Sequence, residues 1–151
     1  MTASSEPAAI RLDPADEVQG RAIARLERER IGWLTSMRAN GFPHAVPIWF
    51  LWHDDELIVL SEPGAVKVRN IRGNPKVLLH LEAGANGDEL TVLQGIAEIS
   101  PDPTAAWVDR IGAAYGAKYT TGLADLNMTM RSMAAQYSAV IRITPTKLIA
   151  W

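Results

Sequence analysis

The chain has 151 residues, 48% hydrophobic and 21% charged, with a formal net charge of -2, enough for one domain with a real core. That balance excludes a general nucleic-acid binder, which needs a cationic surplus to displace counterions from phosphates. The lack of cysteine excludes disulfides, thiolate catalysis and Cys-based zinc or iron–sulfur sites, and it fits a cytoplasmic location.

Met1 to Arg11 carries small and polar residues with little to pack and reads as a loose tail, with no basic-then-apolar leader. No apolar run approaches the roughly 20 residues that cross a bilayer, so no membrane partner is expected. Asp13-Pro14 reads as a helix start, Asp capping and Pro at the first helical position. That helix runs to Arg30, with Glu27, Arg28 and Glu29 as a solvated face. From Ile31 the period becomes alternating, and a first strand is predicted over Ile31 to Met37. Asn40-Gly41 supplies a hairpin turn, His44 to Trp52 a second strand, His53-Asp54-Asp55 another turn, and Glu56 to Ser61 a third strand. Ala65 to Arg72 reads as a short helix stopped by Gly73-Asn74-Pro75.

A fourth strand follows over Lys76 to Glu82, then a loop over Ala83 to Asp88 and a long fifth strand over Glu89 to Ile99. Gly95 in that strand predicts a bulge or sharp bend. Pro101 to Tyr119 is helical by pattern, Leu123 to Gln136 forms a further helix, and Ser138 to Thr144 is a sixth strand before the tail Lys147 to Trp151. Six hairpin-joined strands with helices make an α+β protein, mainly β, whose antiparallel sheet can close into a barrel without exposed edges. No GxGxxG or GxxxxGK[ST] is present, so a nucleotide-binding parallel fold is a poor fit.

Two segments carry the chemistry. In Leu60 to Pro75 a strand ends at the hydroxyl of Ser61, and a turn leads to a helix bearing Lys67, Arg69 and Arg72, with Asn70 one turn from Lys67. A helix N-terminus favours anions, and a lysine adds full charge to a bound phosphate. The same residues would equally serve a solvated basic helix packing Val68 and Ile71 inward. In His44 to Trp52, Pro47 beside Ile48 and Trp49 points to an edge or bulged strand whose free backbone groups can meet a flat heteroaromatic ring. Phe50 and Trp52 read as core.

In this order, His44–Phe50 and Leu60–Pro75 resemble the pyridoxamine 5′-phosphate oxidase-like flavin-binding split barrels, over Ile31 to Ile99. The run Lys67-x-Arg69-Asn70-Ile71-Arg72-x-Asn74-Pro75 and the closing Pro145-Thr146-Lys147 are similar to those of actinobacterial F420-dependent members. The resemblance implies a six-stranded split barrel over 13–151 behind a flexible tail over 1–12. It also implies a homodimer with a cofactor, F420 or alternatively FMN, at each subunit interface. Pro47, Ile48 and Trp49 would lie against the ring, and Leu60, Ser61, Lys67, Arg69 and Asn70 would meet the phosphate end. The activity implied is hydride transfer to a small electron-poor organic substrate, the alternative being a non-catalytic carrier of F420, flavin or haem. The full set of substrate-phosphate residues of a true pyridoxamine phosphate oxidase is lacking, so that activity is not expected.

The histidines His44, His53 and His80 are too scattered for a metal site. His80 reads as surface or barrel lining, and Gln94 as a group able to hydrogen-bond a ring. Met128, Met130, Met133 and Tyr137 read as adaptable packing, and Trp107 and Trp151 as interface anchors. No catalytic acid, base or nucleophile stands out.

Overall fold

In the computed structural model, residues 6–151 are described. Helix α1 (Glu17–Arg28) is followed by strands β1 (Gly32–Met37), β2 (Pro43–Ile48), β3 (Leu51–His53) and β4 (Glu56–Ser61), and then by helix α2 (Val66–Gly73). Strands β5 (Lys76–His80) and β6 (Thr91–Ile99) lead to helices α3 (Thr104–Lys118), α4 (Thr120–Asp125) and α5 (Met130–Gln136), and strand β7 (Ala139–Ala150) completes the order. The strands form one antiparallel sheet in the order β2-β1-β5-β6-β7-β4-β3.

The sheet has seven strands, not six, because the stretch His44 to Trp52 is two strands on opposite edges. β2 pairs with β1 and β3 with β4, and only Trp49 and Phe50 separate them. Three Cα steps from Ile48 to Leu51 span at most about 11 Å. Seven strands laid flat at about 4.8 Å spacing would put the edges roughly 29 Å apart. The sheet must therefore curl until its edges meet, which makes it a split barrel.

The interior is filled by Leu34, Leu57, Val59, Leu79, Leu93, Ile141 and Ile143, with Phe50 from the seam, Leu26 from α1, and Val68 and Ile71 from α2. A second core lies outside the barrel, where α3, α4 and α5 bring Trp107, Ile111, Tyr115, Tyr119, Leu123 and Met133 onto Leu51, Ile58, Leu60 and Val140. The helices thus cover the β3-β4-β7 side of the sheet.

Several local expectations change. Asp16, not Asp13, caps α1, accepting from the Gln19 N–H, while Asp13 accepts from the Ala15 N–H and holds a turn ahead of the helix. The tail expected over 1–12 falls partly outside the described residues; within them Leu12 is buried in the barrel core, and the Ile10 N–H reaches the Pro145 carbonyl. The last strand does not stop at Thr144 but runs to Ala150. Pro145 is tolerated because β4 pairs only as far as Ile143, leaving no partner there for the N–H that proline lacks. The register shifts where Gly95 predicted irregularity, although the extra residue, Thr146, is on β7: Gln94 faces Lys147 and Gly95 faces Pro145. The helix expected over Leu123 to Gln136 is two, broken at Asn127 with φ 53° and restarted by a Thr129–Ser132 capping box. Asn40-Gly41 and Asp54-Asp55 form the expected turns, with positive φ at Gly41, Asp54 and Asp55.

Candidate functional site

The β1–β2 hairpin and α2 face one another across a cleft of about 710 Å³. One wall is the hairpin segment Met37 to Asn40, the other a single stripe of α2 formed by Val66, Arg69, Asn70, Gly73 and Asn74. Two guanidinium groups, Arg38 and Arg69, and three amides, Asn40, Asn70 and Asn74, line it, and no carboxylate does. That donor set suits an anion. No side chain caps the N-terminus of α2.

The expected phosphate residues fare differently. Arg69 and Asn70 line the cleft together. Asn70 is buried and donates to Ser36 Oγ at 3.1 Å, which fixes α2 to the barrel. Lys67 is on the same helix, half-buried; burial pushes its ammonium pKa down, and the nearby Glu62 carboxylate partly opposes this. Ser61 is 1% exposed and its hydroxyl donates to the Glu62 carbonyl at 2.9 Å. Leu60 points the other way, into the outer core.

The ring residues are dispersed. Ile48 is buried in the barrel core. Trp49 stacks on Tyr119, ring centroids 4.4 Å apart and planes 6° from parallel. Pro47 is exposed on β2, an edge strand, as its missing N–H led one to expect. It belongs to the outer face of β2-β1-β5-β6, where the register aligns Pro47, Trp33, His80 and Val92 in one row and Ala45, Thr35, Leu78 and Gln94 in the next. No helix from α3 to α5 lies over these rows. A groove of about 420 Å³ on this face is lined by Thr35, Leu78, Gln94 and Met37, and Met37 also lines the cleft beside α2. A cleft lined by guanidinium and amide donors thus continues over one methionine onto an outer surface with one lysine, Lys76, and these groups suit a phosphate-bearing flat heteroaromatic molecule.

From the sequence Asn40 reads only as a turn residue and Asn74 only as part of a helix stop, and Arg38 carries no reading at all. Their signal was an arginine and amides flanking Asn-Gly and Asn-Pro turns on either side of the basic helix. A second unforeseen cluster clasps the barrel seam. Lys118 Nζ donates to the carbonyls of Phe50 and Leu26 at 2.9 and 3.1 Å and sits 3.7 Å from the Phe50 ring centroid. Burial lowers its pKa to about 8. The Tyr119 hydroxyl accepts from the Phe50 N–H at 2.8 Å and donates to the Arg30 carbonyl at 2.6 Å. No helix among the described residues is long and apolar enough to cross a membrane.

Residues 19–151 match the family described as pyridoxamine 5′-phosphate oxidase, and the chain belongs to that family. Its curled antiparallel sheet is the family's split barrel. Among solved structures it is similar to an F420 reductase, at 25% identity and TM-score 0.62, covering 83% of this chain and 94% of that one. A conserved hypothetical protein from Mycobacterium tuberculosis is 26% identical, with TM-score 0.68 and coverage of 85% and 81%. The haem storage protein of Vibrio cholerae, at 19% identity, TM-score 0.65 and coverage of 93% and 95%, shares the fold. No functionally curated protein matches the sequence.

Proposed function

We propose that the protein is an oxidoreductase that holds F420, or alternatively FMN, and moves a hydride between that cofactor and a small electron-poor organic molecule. One observation carries the reading: a carboxylate-free cleft with guanidinium and amide donors passes over Met37 onto the outer face of the sheet. A phosphate needs the first and a heteroaromatic ring the second. Membership of a flavin-binding family and likeness to an F420 reductase support it.

In this reading Lys67 and Arg69 balance the phosphate charge and Asn70 keeps α2 in place. Pro47 and the backbone edge of β2 border the ring, with Trp49 holding the seam beside it. Ser61 joins only if its hydroxyl leaves the Glu62 carbonyl. The bound cofactor would supply the hydride chemistry; the chain binds it, orients it and keeps water from it. We further propose that a second copy of the chain covers the outer face of β2-β1-β5-β6, so that the ring is enclosed at a homodimer interface.

Tryptophan-fluorescence titration with F420 and, separately, FMN tests the reading, since Trp33 lies on the outer face. Saturable quenching at micromolar concentrations is expected from F420. Lys67→Ala should weaken binding by about 1.5–3 kcal/mol without lowering stability. Tight FMN binding instead would move the protein to the flavin branch. Binding without oxidation of the reduced cofactor by any enone or quinone would make it a carrier, and no binding of either would remove the function proposed.

A further inference from the structure

Strand β5 turns Lys76, Leu78 and His80 to the outer face of the sheet and buries Val77 and Leu79. The register sets Thr35, Leu78 and Gln94 side by side in one row, with Lys76 and its β6 partner Ile96 in the next. All five line the groove of about 420 Å³ that opens over Met37 onto the cleft beside α2. Its wall is mainly apolar, and its size is that of a small-molecule site. Lys76 is the one charged residue among those that line it, and no carboxylate joins it there.

Three polar side chains of this wall are free at their ends. Among the described residues Lys76 forms no ion pair, and neither the Thr35 hydroxyl nor the Gln94 amide makes a hydrogen bond. What is held is their backbone: Asn74 Oδ1 accepts from the Lys76 N–H at 3.1 Å, and the Thr146 hydroxyl donates to the Gln94 carbonyl at 3.3 Å. The first of these bonds ties Lys76 to the cleft, because Asn74 lines it. A lone surface lysine would be no more than a solvated charge. This one stands with a hydroxyl and an amide in an apolar groove that continues from a cleft of anion-binding groups.

A flavin or deazaflavin ring has one polar edge, a pyrimidinedione with two carbonyl oxygens about an N–H. Recognising that edge takes two donors and one acceptor, and the Lys76 ammonium, the Thr35 hydroxyl and the Gln94 amide supply them. Reduction of such a ring leaves negative charge on the same edge, so a cation beside it favours the reduced form. We propose that Lys76 meets the pyrimidinedione edge of the bound ring, with Thr35 and Gln94 beside it, and that its ammonium makes the site hold the reduced cofactor more tightly than the oxidised one. This rests on the reading that the groove receives such a ring, and it adds residues of β1, β5 and β6 to Pro47 of β2.

The test titrates FMN and F420, each oxidised and reduced, against wild type, Lys76→Met, Lys76→Arg and Arg69→Ala without oxygen, with melting temperature as the folding control. Lys76→Met should weaken binding of the reduced cofactor roughly tenfold or more and of the oxidised one about threefold or less. Each tenfold in the ratio of the two affinities lowers the midpoint potential of the bound cofactor by about 30 mV. Lys76→Arg keeps the charge and should hold the wild-type ratio within about threefold. Arg69→Ala should weaken both forms alike, because the phosphate does not change on reduction. An unchanged ratio in Lys76→Met overturns the proposal, whether or not affinity falls, and weakened binding in Arg69→Ala would then leave the cleft reading intact. If wild type binds neither cofactor in either form, the reading of cleft and groove falls and takes this inference with it.

Discussion

Tyr119 closes the barrel with a single hydroxyl, which holds Phe50 on one side and the Arg30 carbonyl on the other. Tyr119→Phe keeps the ring stack on Trp49 but strands a buried N–H, and should cost about 2–3 kcal/mol in urea denaturation. Its neighbour Lys118 links stability to pH. The folded protein releases the Lys118 proton from about pH 8, whereas an unfolded chain keeps it to the ordinary 10.5. Between those values the unfolded state binds more protons, so stability should rise with pH. Tyr115 and Tyr119 act in the opposite sense, because burial raises both above the ordinary 10.0 and the unfolded chain ionises first. Urea midpoints across pH 7 to 11 should therefore peak near pH 10, and Lys118→Met should flatten the rise. At this scale the sequence revealed what lay close along the chain: Arg69 and Asn70 share a helix face, and both line the cleft. It could not reveal the seam cluster, because Tyr119 is 69 positions from the Phe50 it holds and no local pattern marks such a pair.

Among the elements, β6 and β7 show how a glycine permits close approach. A Cβ on Gly95 would stand 2.7 Å from Ile143 Cγ2 and 2.8 Å from the Thr144 carbonyl oxygen. The backbone atom cannot yield cheaply, so Gly95→Ala should destabilise by about 1–3 kcal/mol and broaden amide signals along Thr144 to Lys147. Strand and turn positions were legible here because alternation, Asn-Gly and Gly95 are local signals. The partition of His44 to Trp52 was not, since periodicity records which side chains face inward and not which neighbour a strand pairs with; the inward pattern runs unbroken into a seam where the pairing partner changes. Pro145 misled for a related reason: it reads as a terminator, and only the pairing limit of β4 at Ile143 shows why a strand can continue through it.

For the whole molecule, the contrast between the two sides of the sheet sets the expectation. Helices bury one side, while the rows through Trp33 and Thr35 carry apolar and neutral side chains that are half-buried or exposed, in a groove that Pro7 also lines. Light scattering should give a dimer, and Leu78→Glu, in the middle of those rows, should give a folded monomer with weakened cofactor binding. The strand order carries a further consequence for how the chain reaches this state. Until β7 joins, the sheet exists as two unconnected pieces, β2-β1-β5-β6 and β4-β3, each assembled from neighbours that can find one another early. The strand latest in the chain is the keystone between them, pairing with β6 on one side and β4 on the other. A nascent chain would carry open strand edges through most of its synthesis, and its protection from aggregation would arrive only when β7 has emerged and inserted.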